Sequence, residues 1–357
     1  MIYQFINEPE DAVAHLNLKY VHKDELPILR LKNGKTFEYL FNNRPLAKQD
    51  ELQRIKELVI PPAWENVQIS DLSNAHLQAF GYDLKKRIQY RYHPLWLRIR
   101  NRTKFYRMSA FGKVLPELRS KVDTDLALPG WPRNKVLALV VRLMEETHIR
   151  IGSRQYAKRN KTYGLSTLRT KHVSVHKEKV RFKFTGKKGK KHDITLRNKK
   201  LIKLVSKCEE IPGWELFQFF DKDGSKTAID SGMVNDYIQQ AVGDAFTAKD
   251  FRTWAGTVIF FDSLRSFPKT CDPKILHSNT LRAYDVVAKE LGNTRNVCRK
   301  YYVHPLLPLE YEKGNLTEVF ENVDTTTHSP NQSASEAVLL KLIQEYSPLQ
   351  DIKKNIA

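Results

Sequence analysis

His172-Val173-Ser174-Val175, Val180-Arg181-Phe182-Lys183-Phe184 and Asp193-Ile194-Thr195-Leu196 alternate between apolar and polar residues with a period of two. Successive side chains of a strand point to opposite faces, so this rhythm predicts a three-stranded meander across residues 172–196. Its second turn is Gly186-Lys187-Lys188-Gly189-Lys190-Lys191. On both sides the period changes to that of helices. Upstream, Val136, Leu139, Val140, Leu143 and Thr147 follow the i, i+3, i+4, i+7 spacing of an amphipathic helix. That helix is expected to run on through His148-Ile149-Arg150-Ile151 to a C-cap at Gly152, with Arg150 near its apolar stripe. Downstream, Ser278 can cap a helix over about 280–291 that Gly292 stops, and Thr294 can cap the next, which must end before Pro305.

Working outward, the first hundred residues read as short strands and turns. Arg30 to Tyr39 forms a hairpin with Asn33-Gly34 as its turn, Pro61-Pro62-Ala63-Trp64 a rigid corner, and His76 to Tyr92 a second strand pair. The predicted fold class is therefore α+β in two domains. Residues 1–103 make a small, mostly β domain, and residues 104–315 a mainly helical domain with a three-stranded sheet. Residues 316–357 are expected to be a polar linker followed by one short amphipathic helix at Ala337 to Ile343, because Asp324 to Ser335 is low in apolar content.

Composition narrows the function classes. The 357 residues carry 60 Lys+Arg against 40 Asp+Glu, a formal charge of +20, and 41% of them are hydrophobic. Such a chain buries an ordinary core and favours a polyanionic partner. The longest apolar run, Val136 to Val141, is far too short to span a bilayer, and the N-terminal residues lack a signal-peptide pattern. Three cysteines without a C-x-x-C pair argue against disulfides and zinc, so a cytoplasmic, reducing setting is expected. The charge is clustered. Lys85 to Arg107 holds nine Lys/Arg and no acid, interleaved with Tyr90, Tyr92, Trp96, Phe105 and Tyr106; Arg181 to Lys203 holds ten against the single acid Asp193. Basic side chains neutralise phosphates and aromatics stack on sugars and bases. No P-loop is present, Asp221-Lys222-Asp223-Gly224 lacks the twelfth-position Glu of a calcium loop, and His172 and His176 read as surface histidines, so neither metal nor cofactor is expected.

One helix carries an oriented phenol. Tyr301 looks back onto Cys298 and Val297 and reads as a packing residue, whereas Tyr302 looks back onto Arg299 and Cys298, with Arg295 a further turn away. A phenol becomes a nucleophile when cations favour its phenolate. By itself this pattern also fits a structural tyrosine.

Four ordered motifs resemble those of type IB DNA topoisomerases, closest to the bacterial and poxvirus-like branch. They are I-R-I-G-S-R-Q-Y-A-K-R-N-K-T-Y-G-L-S-T-L at 149–168, F-K-F-T-G-K at 182–187 with His192, K-D-F-R-T-W-A-G at 249–256, and Leu291-Gly292-Asn293-Thr294 through Tyr302-Val303-His304-Pro305. Pro61 to Trp64 and Gln89-Tyr90-Arg91-Tyr92-His93-Pro94 are similar to the N-terminal domain of the bacterial members, so the resemblance spans about residues 25 to 310. It implies a C-shaped, monomeric clamp on double-stranded DNA that relaxes supercoils without ATP or metal, nucleoid-associated in a bacterium. Tyr302 would attack a phosphodiester to form a 3′-phosphotyrosyl link. Arg150 and Arg252 would hold the non-bridging oxygens, Lys187 (or its neighbour Lys188) would protonate the leaving 5′ oxygen, and Asn293 would donate a hydrogen bond to the same phosphate. Gln89, Tyr90, Tyr92, Tyr156 and Lys249 would contact DNA. The sequence departs from the poxvirus pattern at Asn293, where that branch has histidine; asparagine donates a hydrogen bond but carries no charge. Two alternatives share part of this pattern: a tyrosine recombinase, whose second-arginine motif usually begins with histidine where Lys249 stands, and a non-catalytic architectural DNA-binding protein.

Overall fold

The computed structural model describes Val13 and residues 17–344 other than 35, 222, 244 and 245, and the chain divides into two units, 1–104 with 347–357, and 105–346. The first unit is built on one antiparallel sheet. Strands β1 (Ile28–Asn33), β2 (Thr36–Phe41) and β3 (Arg44–Pro45) lie on one side of β4 (Glu65–Ile69), β5 (Leu77–Tyr82) and β6 (Ile88–Tyr92), in the order β3-β2-β1-β4-β5-β6. Helix α1 (Gln49–Glu57) supplies Ile55, which packs with Ile28, Val67, Ile69 and Ala79. Asn33 pairs with Thr36, so the first hairpin turns one residue later than the Asn33-Gly34 reading; Gly34 takes the positive φ (58°) that such a turn demands. Arg30 anchors the proline corner, donating to the carbonyls of Pro61 (3.1 Å) and Trp64 (2.8 Å).

The unit boundary falls within the long helix α2 (Pro94–Leu126). Then come α3 (Arg133–Thr147), α4 (Arg154–Asn160) and the meander β7 (Val173–His176), β8 (Lys179–Thr185) and β9 (Lys191–Leu196). Val180, Phe182 and Phe184 alternate inward on β8, as the period of two requires. Helix α5 (Lys199–Glu209), the hairpin β10 (Gln218–Phe220) and β11 (Lys226–Ala228), and helices α6 (Ser231–Val242), α7 (Ala248–Arg265), α8 (Pro273–Glu290), α9 (Arg295–Tyr301) and α10 (Leu306–Glu312) follow. The molecule is thus α+β. Helices α3 and α7 run through the core: Val136, Ala138, Leu139, Val140, Phe260 and Phe261 are fully enclosed.

Three expectations are corrected. Helix α3 stops at Thr147, because His148 adopts the left-handed conformation (φ 53°) and donates its N–H to the Met144 carbonyl at 3.1 Å; Arg150 is in the following loop, not on the helix. Helix α8 starts at Pro273 with Asp272 as its cap, so Ser278 lies inside it. Residues 316–344 are not a linker with one helix outside the second domain: α11 (Thr317–Thr325) and α12 (Ala334–Gln344) belong to the second unit, burying Leu316, Val323, Val338, Leu339 and Ile343 in its core. Glu336 fixes α12 by binding Arg119 through both carboxylate oxygens (2.8 Å each) and accepting from Trp254 Nε1 at 2.8 Å. Among the described residues no helix is long and apolar enough to cross a membrane, and no group of three His, Cys, Asp or Glu is placed to hold a metal.

Candidate active site

Tyr302, Arg252, Arg150 and Asn293 come together in the second unit from three segments of the chain, Asn293 and Tyr302 flanking one helix. Tyr302 caps the C-terminus of α9, a helix started by the Thr294 hydroxyl, which accepts from Val297 N–H. Its backbone is pinned on both sides: its N–H donates to the Cys298 carbonyl at 2.9 Å and its own carbonyl accepts from the Thr257 hydroxyl at 3.0 Å. The close approach of α7 to α9 needs Gly256, where a Cβ would lie 3.0 Å from Tyr302 Cβ and 3.2 Å from its carbonyl oxygen.

Arg252 rises from the first turns of α7 and is only 5% exposed. It donates Nη1 to the His148 carbonyl and Nη2 to the Leu291 carbonyl (2.6 Å), which ties the Arg150 loop to the loop before α9. Its Cζ lies 5.4 Å from the centre of the Tyr302 ring. Asp250, on the same helix, accepts from the backbone N–H of Thr247 at 2.9 Å, closing the N-terminus of α7. Burial lowers the Arg252 guanidinium to about 10, assisted by the neighbouring Arg150 charge, and leaves it cationic at neutral pH.

Arg150 extends from a loop held by Leu165 N–H on the Arg150 carbonyl (2.9 Å) and Ser166 N–H on the Ile151 carbonyl (2.7 Å). Its Nη2 donates to Asn293 Oδ1 at 2.7 Å. That bond fixes the amide, and Asn293 Nδ2 and Arg252 Nε are buried without a hydrogen-bond partner. For Tyr302, burial raises the phenol, but the opposing charges of Arg252 and Arg150 outweigh it and the net direction is down. The guanidiniums beside the phenol are therefore Arg252 and Arg150, not Arg295 and Arg299 of its own helix; Arg295 pairs with Asp285. Tyr301 is 41% exposed, so the packing role read from its spacing is also corrected.

The meander turn brings further cations. Lys187 and Lys188 are exposed in a 3-10 turn closed by Gly186 N–H on the Lys190 carbonyl at 2.7 Å. Sequence reasoning did not single out Lys190, yet its charge, with those of Arg150 and Arg252, depresses His192 to about 4 after burial has made the larger contribution. His172 is corrected from a surface residue to a buried one, its Nδ1 accepting from Arg169 N–H at 3.0 Å. Tyr156 on α4 and Lys249 at the start of α7 are exposed in the second unit. Gln89, Tyr90 and Tyr92 lie on β6 of the first unit, where the Tyr90 and Tyr92 rings stack at 5.6 Å.

Two guanidiniums around a half-buried phenol, on this helical scaffold with a three-stranded meander, invite comparison with known phosphodiester enzymes. Residues 96–325 match the family described as eukaryotic DNA topoisomerase I, catalytic core, and residues 36–83 match bacterial DNA topoisomerase IB, N-terminal domain. The DNA topoisomerase 1B of Acanthamoeba polyphaga mimivirus is 34% identical over 284 residues, covering 77% of this chain and 84% of that protein. The DNA topoisomerase 1B of vaccinia virus (strain Western Reserve) is 24% identical over 228 residues, covering 62% and 68%. The DNA topoisomerase 1 of rabbit fibroma virus (strain Kasza) is 24% identical over 290 residues, covering 76% and 85%. The chain belongs to the type IB DNA topoisomerase family. Within that family it is a DNA topoisomerase I, an isomerase whose substrate is DNA.

Proposed function

We propose that this enzyme relaxes supercoiled duplex DNA by transient single-strand cleavage at Tyr302, without ATP or a metal ion. The observation that carries the reading is the Tyr302 phenol set against two guanidiniums, with Asn293 Nδ2 and Arg252 Nε both buried and unpartnered beside it. Tyr302 Oη loses its proton to solvent and attacks phosphorus. A phosphorus–oxygen bond to the tyrosine forms, the bond to the 5′ oxygen breaks, and that oxygen takes a proton from Lys187. Arg150, Arg252 and Asn293 bind the non-bridging oxygens as charge builds on them. The phosphotyrosyl ester keeps about the energy of the bond it replaced, so the released 5′-hydroxyl rotates and reseals without a nucleotide. Three cationic side chains supply the charge stabilisation a metal provides elsewhere.

Gln89, Tyr90, Tyr92, Tyr156 and Lys249 contact DNA in this reading. The enzyme acts as a monomer in the cytoplasm, on a domain of residues 1–103 and a catalytic domain from 104. Relaxation of a supercoiled plasmid in EDTA without ATP tests the core of it. Wild type and Tyr301→Phe are expected to relax the plasmid, and Tyr302→Phe to bind it and leave it supercoiled. Loss of activity in Tyr301→Phe alone would assign the nucleophile to the neighbouring residue.

A further inference from the structure

His192 lies at the junction of two loops that the reaction must hold in register. Its ring stacks on Phe184 at 4.9 Å and 15° between planes, at the base of the β8–β9 turn. On one side it meets Gly186, the residue before Lys187: a Cβ there would come within 2.7 Å of ring atoms Cδ2 and Nε2. On the other side it meets Gly292, the residue before Asn293, where a Cβ would come within 2.9 Å of Cε1. Gly292 also needs its glycine for a φ of 60°. The imidazole is therefore a spacer between the lysine turn and the asparagine loop, with both contact points stripped to glycine so that the ring fits.

Within the turn, the hydrogen bonds among the described residues are between backbone groups. Gly186 N–H donates to the Lys190 carbonyl at 2.7 Å and Gly189 N–H to the Gly186 carbonyl at 3.1 Å, while Lys187 and Lys188 are exposed and Lys188 has a φ of 63°. An exposed lysine on such a turn has a wide range of positions. General acid catalysis, in contrast, needs the ammonium within hydrogen-bond reach of one oxygen. A displacement of about 1 Å can cost about 100-fold in rate.

We infer that His192 is a positioning residue, which sets the Lys187 turn against the Asn293 loop so that the lysine reaches the leaving 5′ oxygen. This rests on the reading of Lys187 as the general acid. The imidazole acts through its shape and not through a proton: burial and the charges of Arg150, Lys190 and Arg252 keep it neutral. It follows that a flat ring without ring nitrogens serves as well.

The test is single-turnover cleavage of a duplex oligonucleotide, with either an ordinary 5′ oxygen or a 5′-bridging sulfur at the scissile position. A thiolate leaves without a proton, so a defect in acid catalysis disappears on the sulfur substrate while other defects remain. Lys187→Ala is expected to be slowed about 100-fold or more on oxygen and restored on sulfur. His192→Ala is expected to be slowed about 10- to 100-fold on oxygen and equally restored on sulfur, and His192→Phe to stay within about threefold of wild type on both. Gly186→Ala, whose backbone φ of −97° suits alanine, pushes the ring from the turn side and is expected to reproduce the His192→Ala defect even where that variant folds poorly. A His192→Ala defect that persists on sulfur while that of Lys187→Ala vanishes would overturn the positioning role and leave the acid assignment intact. Oxygen cleavage by Lys187→Ala at the wild-type rate would overturn the acid assignment itself, and with it this inference.

Discussion

Arg252 is held more firmly than the other candidate residues. Its two terminal nitrogens are bonded to backbone carbonyls of separate loops, and it is buried beside a second guanidinium. Lysine cannot reproduce that fork, so Arg252→Lys is expected to lower the single-turnover cleavage rate about 100-fold, nearly as much as Arg252→Ala. A lysine variant within about tenfold of wild type would show that charge alone is enough. At Asn293, the Arg150 bond to Oδ1 leaves Nδ2 as the donor. Asn293→Asp keeps the acceptor for Arg150 but loses that donor and adds a negative charge, so it is expected to cleave more slowly than Asn293→Ala. The reverse order in a rate assay would argue against a phosphate contact at Nδ2. The motifs single these residues out as candidates, but do not give their neighbours. Helical spacing offers Tyr302 only the local partners Arg295 and Arg299, whereas the guanidiniums that reach it come from Arg252 and Arg150, far upstream in the chain.

Elements explain the remaining differences. The meander and the capped helix before Tyr302 are legible because period two and an N-cap threonine are local signals. The end of α3 is not: a non-glycine residue, His148, takes the left-handed conformation there, ahead of the glycine at 152 that would ordinarily mark the stop. The tail differs for another reason. Its polar composition is real, but Glu336 is matched to Arg119 and Trp254, remote in the chain, and composition carries no trace of such pairing. Trp254 is on the same helix as Arg252, so Glu336 ties α12 to the helix that carries Arg252. Glu336→Ala removes one of the two carboxylates paired with Arg119, Glu145 remaining at 2.6 Å, and leaves Trp254 Nε1 without its acceptor; it is expected to cost about 2 kcal/mol, seen as a melting temperature lower by about 5 °C. An unchanged melting temperature would mean that α12 is dispensable. Gly256→Ala presses a methyl group onto Tyr302 and is expected to slow cleavage by about tenfold or more with DNA binding unchanged.

For the molecule as a whole, charge and acidity set the working range. Burial lowers His148 and His172 to about 4 and His304 to about 3, with His192 at about 4. Each of these folded values lies below the unfolded one of about 6.5, so the unfolded chain binds more protons between them. Stability from these groups is complete above about pH 7 and is lost as the pH falls from about 6.5 towards 4. The melting temperature is accordingly expected to drop by on the order of 5 °C or more between about pH 7 and pH 5; a flat profile would indicate that the four imidazoles are more solvated than their burial implies. A net charge of +20 on a DNA enzyme further predicts steep salt dependence, with affinity falling about 1000-fold between about 50 and 200 mM salt if six or more phosphates are contacted.

The two carbonyl bonds of Arg252 also bear on stereochemistry. The non-bridging oxygens of a phosphodiester are prochiral, and replacing one or the other by sulfur gives two distinct diastereomers. Arg252, locked at both ends, cannot swing to follow a larger and softer atom, whereas Arg150 extends from a loop and makes its side-chain bond to another side chain. The enzyme should therefore be handed in its tolerance: one phosphorothioate diastereomer cleaved almost normally, the other poorly, with the sensitive face being the one that Arg252 meets.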